Sequence, residues 1–311
     1  MVASTFIGVD WGTSRLRALL CNFDDEDEAG TTLIAGPGIA QVQGSVPETL
    51  FAAIEPWTRS MGEIPIIMAG MVGSNLGWRT VPYLPCPAGP DDLRRNCFKF
   101  EERGHDISIV PGVSCENPYG QPDLMRGEEL QILGWIEMDT RHRNGEYLLC
   151  LPGTHTKWVV ISDGYIQSFL TALSGELFSL LHQHSVLLSA PAGDSSSHHF
   201  HAGAFCEGLA LACTDHASIL HTLFSTRSRQ ISGSLTTAKA SDYLSGLLIG
   251  SDISGALACF APWKGPVEII GSQDLCLQFE CALDYFGVES TKTDGTAAVV
   301  SGFRSFYEAG Q

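Results

Sequence analysis

The sequence predicts an α/β protein of two lobes built on mixed sheets, and three observations carry that prediction. Strand and helix patterns alternate along both halves of the 311 residues. A strand, a Gly-Thr-small turn and a second strand occur twice, at Gly12-Thr13-Ser14 and at Gly153-Thr154-His155-Thr156, so the halves read as copies. Hydrophobic residues make up 44% of the chain and charged residues 17%, which suits two ordinary cores better than one. The expected domains are residues 1–140 and 141–311.

Residues 5 to 35 alternate and turn as a β-meander, with Asp24 to Glu28 and Gly30 at the second hairpin tip. Consecutive carboxylates repel, so this acidic run reads as a solvated loop rather than a metal site. PETLFAAIEPWTRSM reads as a helix with Pro47 in its first turn and a kink or break before Pro56. IPIIMAG and ISIVPG are apolar enough to be strands buried in a parallel sheet. Between them MVGSNLGWRTVPYLPCPAGP is too long for a simple connection, and is expected to be either a binding loop or disordered.

From Asp123 the pattern turns helical, with Asp123 where an N-cap would stand. YLLCLPGTHTKW then repeats the opening strand and turn, Asp163-Gly164 makes a tight hairpin, and YIQSFLTAL follows. Helices are expected at 175–188, 203–225 and 239–260, then the strand VEIIGS. The helix LCLQFECALDYFG, a short strand VESTKT and a last helix TAAVVSGFRSFYEA complete the chain. The apolar helices at 203–225 and 239–260 either pack internally or form a homodimer face.

A net charge of -17 repels phosphate backbones and acidic headgroups, which argues against nucleic-acid and membrane partners. No stretch reaches the length of an uncharged transmembrane helix, and the start lacks a signal pattern, so a cytoplasmic protein is expected. Ten cysteines without a CxxC pair read as reduced core residues. The histidines of HHFH, 198–201, have no Cys or HExxH partner and read as a polar loop rather than a zinc site. Walker, GxGxxG-acid and GxSxG motifs are all missing, against P-loop kinases, nicotinamide enzymes and serine hydrolases.

Two Gly-Thr bends, one per lobe, offer N–H groups and hydroxyls that can grip one anion. A polyphosphate held in this way needs a divalent cation, and Asp10, at the end of the first strand, can hold Mg²⁺ through its water shell. Asp10 can equally cap its own turn. Transfer to a hydroxyl asks for a base, for which Asp123 is the candidate, its other reading being a plain N-cap.

DWGTSRLR, AGMVGSNLGWRTVPYLPCPA, VPG, PDLMRGEELQ, LPGTHTKWV, LSGELFSLL and the late IIGS together resemble the 2-dehydro-3-deoxygalactonokinases, of the actin, Hsp70 and hexokinase superfamily. The resemblance runs from about residue 6 to the C-terminal helix. It implies two ribonuclease-H-like lobes with ATP between them, and phosphorylation of 2-keto-3-deoxygalactonate at its 6-hydroxyl in galactonate breakdown. Asp10, Gly12, Thr13 and Ser14 match the first phosphate hairpin, and Gly153, Thr154, His155, Thr156 and Lys157 the second. Gly271 and Ser272 look like the adenosine motif, and Asp123 like the catalytic base.

In the implied sugar-acid loop Ser74, Asn75, Trp78 and Tyr83 are candidate substrate contacts, the two aromatics being packing anchors otherwise. Arg15 and Arg126, with Arg79 third, are candidates for the substrate carboxylate. Glu128, Glu129 and Glu176 can orient loops, hold the metal's waters or only complement helix dipoles. The chain departs from the family pattern at Ala69, Arg79-Thr80 and Leu173-Ser174, and Arg79 lies in the loop that would choose the sugar acid. The alternatives are a kinase of another sugar acid or amino sugar, a phosphoanhydride hydrolase, or a non-catalytic nucleotide-dependent regulatory module.

Overall fold

The computed structural model describes residues 5–22, 32–188, 200–214 and 218–308. The acidic run Asp24 to Glu28, Gly30, His198 and His199 lie outside the described residues. Two compact units form: Met1–Glu146 with Val159–Phe169 and Thr293–Gln311, and Tyr147–Trp158 with Leu170–Lys292.

The opening alternation folds as a meander of β1 (Thr5–Trp11), β2 (Arg15–Asn22) and β3 (Thr32–Pro37), each pair antiparallel. β4 (Ile66–Gly70) is buried at every residue and runs parallel to β1, as an apolar run covered on both faces must. Helix α1 (Val46–Met61) connects β3 to β4, with the Ser45 side chain capping its first turn. The helix passes through Pro56 without the expected break. Pro56 and Ala52, whose carbonyl loses its helical partner, are both exposed, opposite Leu50, Phe51, Ile54 and Trp57, so the lost bond falls on the solvent side of the helix.

The long Pro-rich loop is ordered, from a 3-10 turn at Met71–Gly73 to a two-residue strand β5 (Leu84–Pro85). Helix α2 (Pro90–Arg95) leads into β6 (Phe98–Glu102), which is antiparallel to β7 (His105–Ile109). The large sheet has the order β3-β2-β1-β4-β7-β6. β8 (Val113–Glu116) pairs with β5 and with β9 (Pro122–Met125) in a small second sheet. Asp123 therefore lies on a strand opposite Cys115, and the expected helix begins later, as α3 (Glu128–Met138). The N-cap reading of Asp123 is thereby overturned: pairing with β8 holds residues 122–125 extended, and Gly127 takes the cap position.

β10 (Glu146–Leu151), β11 (Thr156–Ser162) and β12 (Tyr165–Ala172) repeat the strand-bend-strand theme. Asp163 and Gly164 both have positive φ, 49° and 77°, as a tight Asp-Gly hairpin demands. With β13 (Val267–Gly271) and β14 (Ser290–Asp294) the order is β12-β11-β10-β13-β14, and β13 is parallel to β10. This matches β3-β2-β1-β4-β7 position for position, so the duplication read from the bends extends to the sheets.

The remaining helices are α4 (Ser174–His184), α5 (Ala202–Ala212), α6 (Ile219–Thr222), α7 (Ser225–Ile231), α8 (Thr237–Cys259), α9 (Gln273–Tyr285) and α10 (Gly295–Glu308). The single helix expected at 203–225 is broken: the Cys213 N–H closes α5 on Leu209, and Ser218 starts a new turn by accepting from His221 and Thr222. α5 and α8 pack on each other through bare backbone. A Cβ on Gly246 would stand 2.0 Å from the Phe205 carbonyl oxygen, and one on Gly208 2.2 Å from that of Tyr243.

α10 completes the first unit. Tyr307 stacks on Phe6 of β1 with ring centroids 4.6 Å apart, and Phe303 fills the space above Gly8. α3 and α10 meet where Gly134 leaves no room for a side chain, a Cβ there lying 1.7 Å from the Ala298 carbonyl oxygen. All ten cysteines are free, but the core reading suits only Cys21, Cys150 and Cys276; six are partly buried and Cys281 is exposed. No helix of the described residues is long and apolar enough to cross a membrane.

Candidate functional site

The first bend closes β1 on β2, with Asp10 opposite Arg17 in the register. Arg17 donates to Oδ2 of Asp10 through Nε, at 3.1 Å, and through Nη2, while among the described residues no hydrogen bond reaches Oδ1. A water or a metal-bound water thus has one oxygen of Asp10 to bond. Gly12 spends its N–H on the Arg15 carbonyl, whereas the side chains of Thr13, Ser14 and Arg15 are exposed. Gly38, just past β3, presses on this bend, and a Cβ there would fall 2.2 Å from the Thr13 carbonyl oxygen. Next to it the Ile39 and Ala40 amides donate to the carbonyls of Gly12 and Thr13. Arg17 was missed in the sequence, although a three-residue bend between paired strands places position 17 across from position 10.

The second bend, in the other unit, is braced in a related way. Gly175 stands where a Cβ would lie 2.1 Å from the Gly153 carbonyl oxygen, and the Glu176 N–H donates to Thr154 at 2.8 Å. The His155 ring meets the Glu176 carboxylate. Thr154 and His155 are exposed, but Thr156 and Lys157 are buried and turn inward. The Thr156 hydroxyl meets Ser174 at 2.8 Å, and the Lys157 ammonium donates to the Thr171 hydroxyl at 2.7 Å. Behind them Asp252 accepts from Ser174 and from the Trp158 indole. Nothing local in the sequence joins Asp252 to this bend.

Gly271, at the end of β13, lies beside Pro152 at the end of the parallel strand β10, so the adenosine candidate adjoins the second bend. A Cβ on Gly271 would meet nothing closer than 3.5 Å. Protein packing therefore does not require glycine there, and the bare backbone fits a ligand lying against a strand's carboxyl end. Ser272 is exposed and stands at the N-cap position of α9, with no side-chain capping bond among the described residues.

In the first unit Asp123 is half-buried, with the Leu124 N–H on Oδ1 at 2.9 Å and the Asn117 amide 3.5 Å from Oδ2. Three residues on, Arg126 knits the long loop together. Its Nη2 donates to the Val81 carbonyl at 2.7 Å, its guanidinium covers the Tyr83 ring at 4.2 Å, and its Nη1 blocks any side chain at Gly73. Ser74 is buried, with its hydroxyl used inside the 71–73 turn. Trp78 packs edge-on against Phe51 and Phe100, which is the anchoring reading. Asn75 and Arg79 are exposed, and the Arg79 guanidinium lies over the Phe100 ring, 5.5 Å from its centroid.

Glu128 and Glu129 tie the Arg126-Gly127 backbone to α3: Glu129 accepts the Gly127 N–H at 2.6 Å, and Glu128 the Arg126 N–H at 3.2 Å. Glu129 is wholly buried, its Oε1 has no hydrogen-bond partner among the described residues, and burial pushes its pKa up to about 8. Among the described residues no cluster of three His, Cys, Asp or Glu side chains is placed to hold a metal; His201 pairs with Asp242.

Comparison with known proteins places the chain in one family. The profile of a family described as 2-keto-3-deoxy-galactonokinase matches residues 10–306. The 2-dehydro-3-deoxygalactonokinase of Escherichia coli (strain K12) is 31% identical over 318 residues, spanning 99% of each chain. A Rhizobium meliloti (strain 1021) protein bearing the same enzyme name is 32% identical over 96% of this chain and 95% of its own. A crystal structure from Sinorhizobium meliloti that carries this name superposes on 98% of both chains with a TM-score of 0.83 and 30% identity.

Proposed function

Because the chain belongs to the 2-keto-3-deoxy-galactonokinase family of phosphotransferases, we propose that it transfers the terminal phosphoryl group of ATP to the 6-hydroxyl of 2-dehydro-3-deoxy-D-galactonate, in galactonate catabolism. The observation that carries this reading is a match along residues 10–306, which encloses every candidate residue from Asp10 to Ser272. The substrate is a small metabolite, and the cytoplasm is the proposed compartment.

Asp123 acts as the base: it accepts the proton of the 6-hydroxyl while that oxygen bonds to the terminal phosphorus and the bond to the ADP oxygen breaks. Its carboxylate is steadied by the Leu124 amide rather than by a helix terminus. Phosphoryl transfer needs positioning and charge neutralisation more than covalent help. The exposed Gly12-Thr13-Ser14 and Gly153-Thr154-His155 bends grip the phosphates, and Thr156 and Lys157 support the second bend from within. The open backbone at Gly271 and Ser272 takes the adenosine. Mg²⁺, when bound, neutralises phosphate charge, and Asp10 would hold it through water on the oxygen that Arg17 leaves unused.

The sugar acid is assigned to the 71–89 loop, with Asn75 and Tyr83 beside it and Arg15, Arg79 or Arg126 facing its carboxylate. Ser74 and Trp78 hold the loop's shape instead. A coupled ADP-release assay with this substrate, its gluconate epimer and a no-sugar control tests the proposal. ADP release that depends on the galactonate derivative is expected. Equal release without sugar would make the protein a hydrolase, and preference for the epimer would move the substrate assignment.

A further inference from the structure

The brace around the second bend leads back to one buried acid. Asp252, on α8, is 9% exposed, and its oxygens serve two elements: Oδ1 accepts the Trp158 indole N–H at 2.8 Å, and Oδ2 the Ser174 hydroxyl at 2.7 Å. Ser174 opens α4 and meets Thr156, where the bend returns into β11, at 2.8 Å. The next two residues, Gly175 and Glu176, are those that touch the carbonyls of Gly153 and Thr154. The acid, the first turn of α4 and the bend thus form one continuous train of contacts.

A buried carboxylate is costly unless donors meet it, and here burial pushes its pKa up while Ser174, Trp158 and Thr156 pull it down. An apolar side chain of similar volume could serve stability as well. What the acid adds is direction, because its two oxygens fix two donors at set angles. We infer that Asp252 is a positioning residue: acting through Ser174, it sets where the Gly153–His155 backbone stands and so how tightly the nucleotide is held. This inference rests on the proposed reading of that bend as a phosphate grip.

Calorimetric titration of the full-length protein with Mg-ATP, alongside the KM for the sugar acid, tests it. Ser174→Ala and Asp252→Asn are expected to weaken ATP binding roughly tenfold or more, the scale of one lost oriented contact, with the sugar-acid KM within about twofold. Ser174→Thr, which keeps the hydroxyl, is expected to restore binding. Trp158→Phe removes the donor that does not reach the bend; it is expected to lower the melting temperature and to weaken ATP binding less than Ser174→Ala does. Wild-type affinity in Ser174→Ala, or an equal loss in Trp158→Phe, would overturn the inference. Should Asp252→Asn fail to fold, the two Ser174 variants decide. Absence of ATP binding in the wild type would instead remove the phosphate-grip reading, and the inference with it.

Discussion

Replacing Asp123 by Asn keeps the shape of β9 and removes only the proton acceptor. Turnover is expected to fall by roughly 10²–10⁴, the usual worth of general-base catalysis, with ATP affinity held within about twofold. Near-wild-type turnover would show that another group takes the proton. Glu129 calls for a different measurement. Burial pushes its carboxyl from the ordinary value of 4.5 up to about 8, so between these values the folded chain keeps a proton that the unfolded chain releases. Stability should therefore decline as pH rises from about 5 to 8. Glu129→Gln should flatten that decline in urea titrations, and an unchanged slope in the variant would exclude Glu129 as its source. The acid at position 10 and the polar bends were legible because small residues beside a lone carboxylate at a strand end are chemically unusual. Neither the neutral tendency of Glu129 nor the inward turn of Lys157 could be read, since both depend on what other segments bury against them.

Each bend is braced by a glycine that arrives from the strand just beyond its own hairpin, Gly38 after β3 and Gly175 after β12. A methyl group at either position meets carbonyl oxygen, so Gly38→Ala and Gly175→Ala should each cost about 1–3 kcal/mol and weaken ATP binding. Gly255, inside α8, has nothing within 4 Å of an added Cβ, and Gly255→Ala should stabilise by about 0.5–1 kcal/mol. Thermal melts of the three variants check both signs. The strands that alternate cleanly or are wholly apolar were legible, as was the Asp163-Gly164 turn. The β5-β8-β9 sheet was not, because strands of two to four residues are too short to display a period. That omission misplaced the start of α3, since the pairing partner of Asp123 lies in a separate strand, β8. The unbroken α1 could have been foreseen from Ala52 and Pro56 falling on its polar side.

With a formal charge of -17, the whole chain repels itself at low ionic strength. Screening should relieve this, so the melting temperature is expected to rise between about 10 mM and 150 mM salt, where the Debye length shrinks from about 30 to 8 Å. A fall over that range would mean that attractive ion pairs such as Arg94–Glu137 outweigh the repulsion. At this scale the duplicated architecture was the most legible feature, because two bends of like composition mark equivalent points in both sheets. The first compact unit also takes in Thr293–Gln311, a recruitment that no compositional boundary announces.

That recruitment bears on how the protein is made. Phe6 and Gly8 leave the ribosome long before Tyr307 and Phe303, the side chains that cover them. At synthesis rates of about 5–20 residues per second, the apolar flank of β1 stays uncovered for many seconds. The second unit, encoded largely between positions 170 and 292, has by then all its residues in hand. Nascent chains halted before α10 should consequently be protease-sensitive in their N-terminal part, and folding would run against the direction of translation.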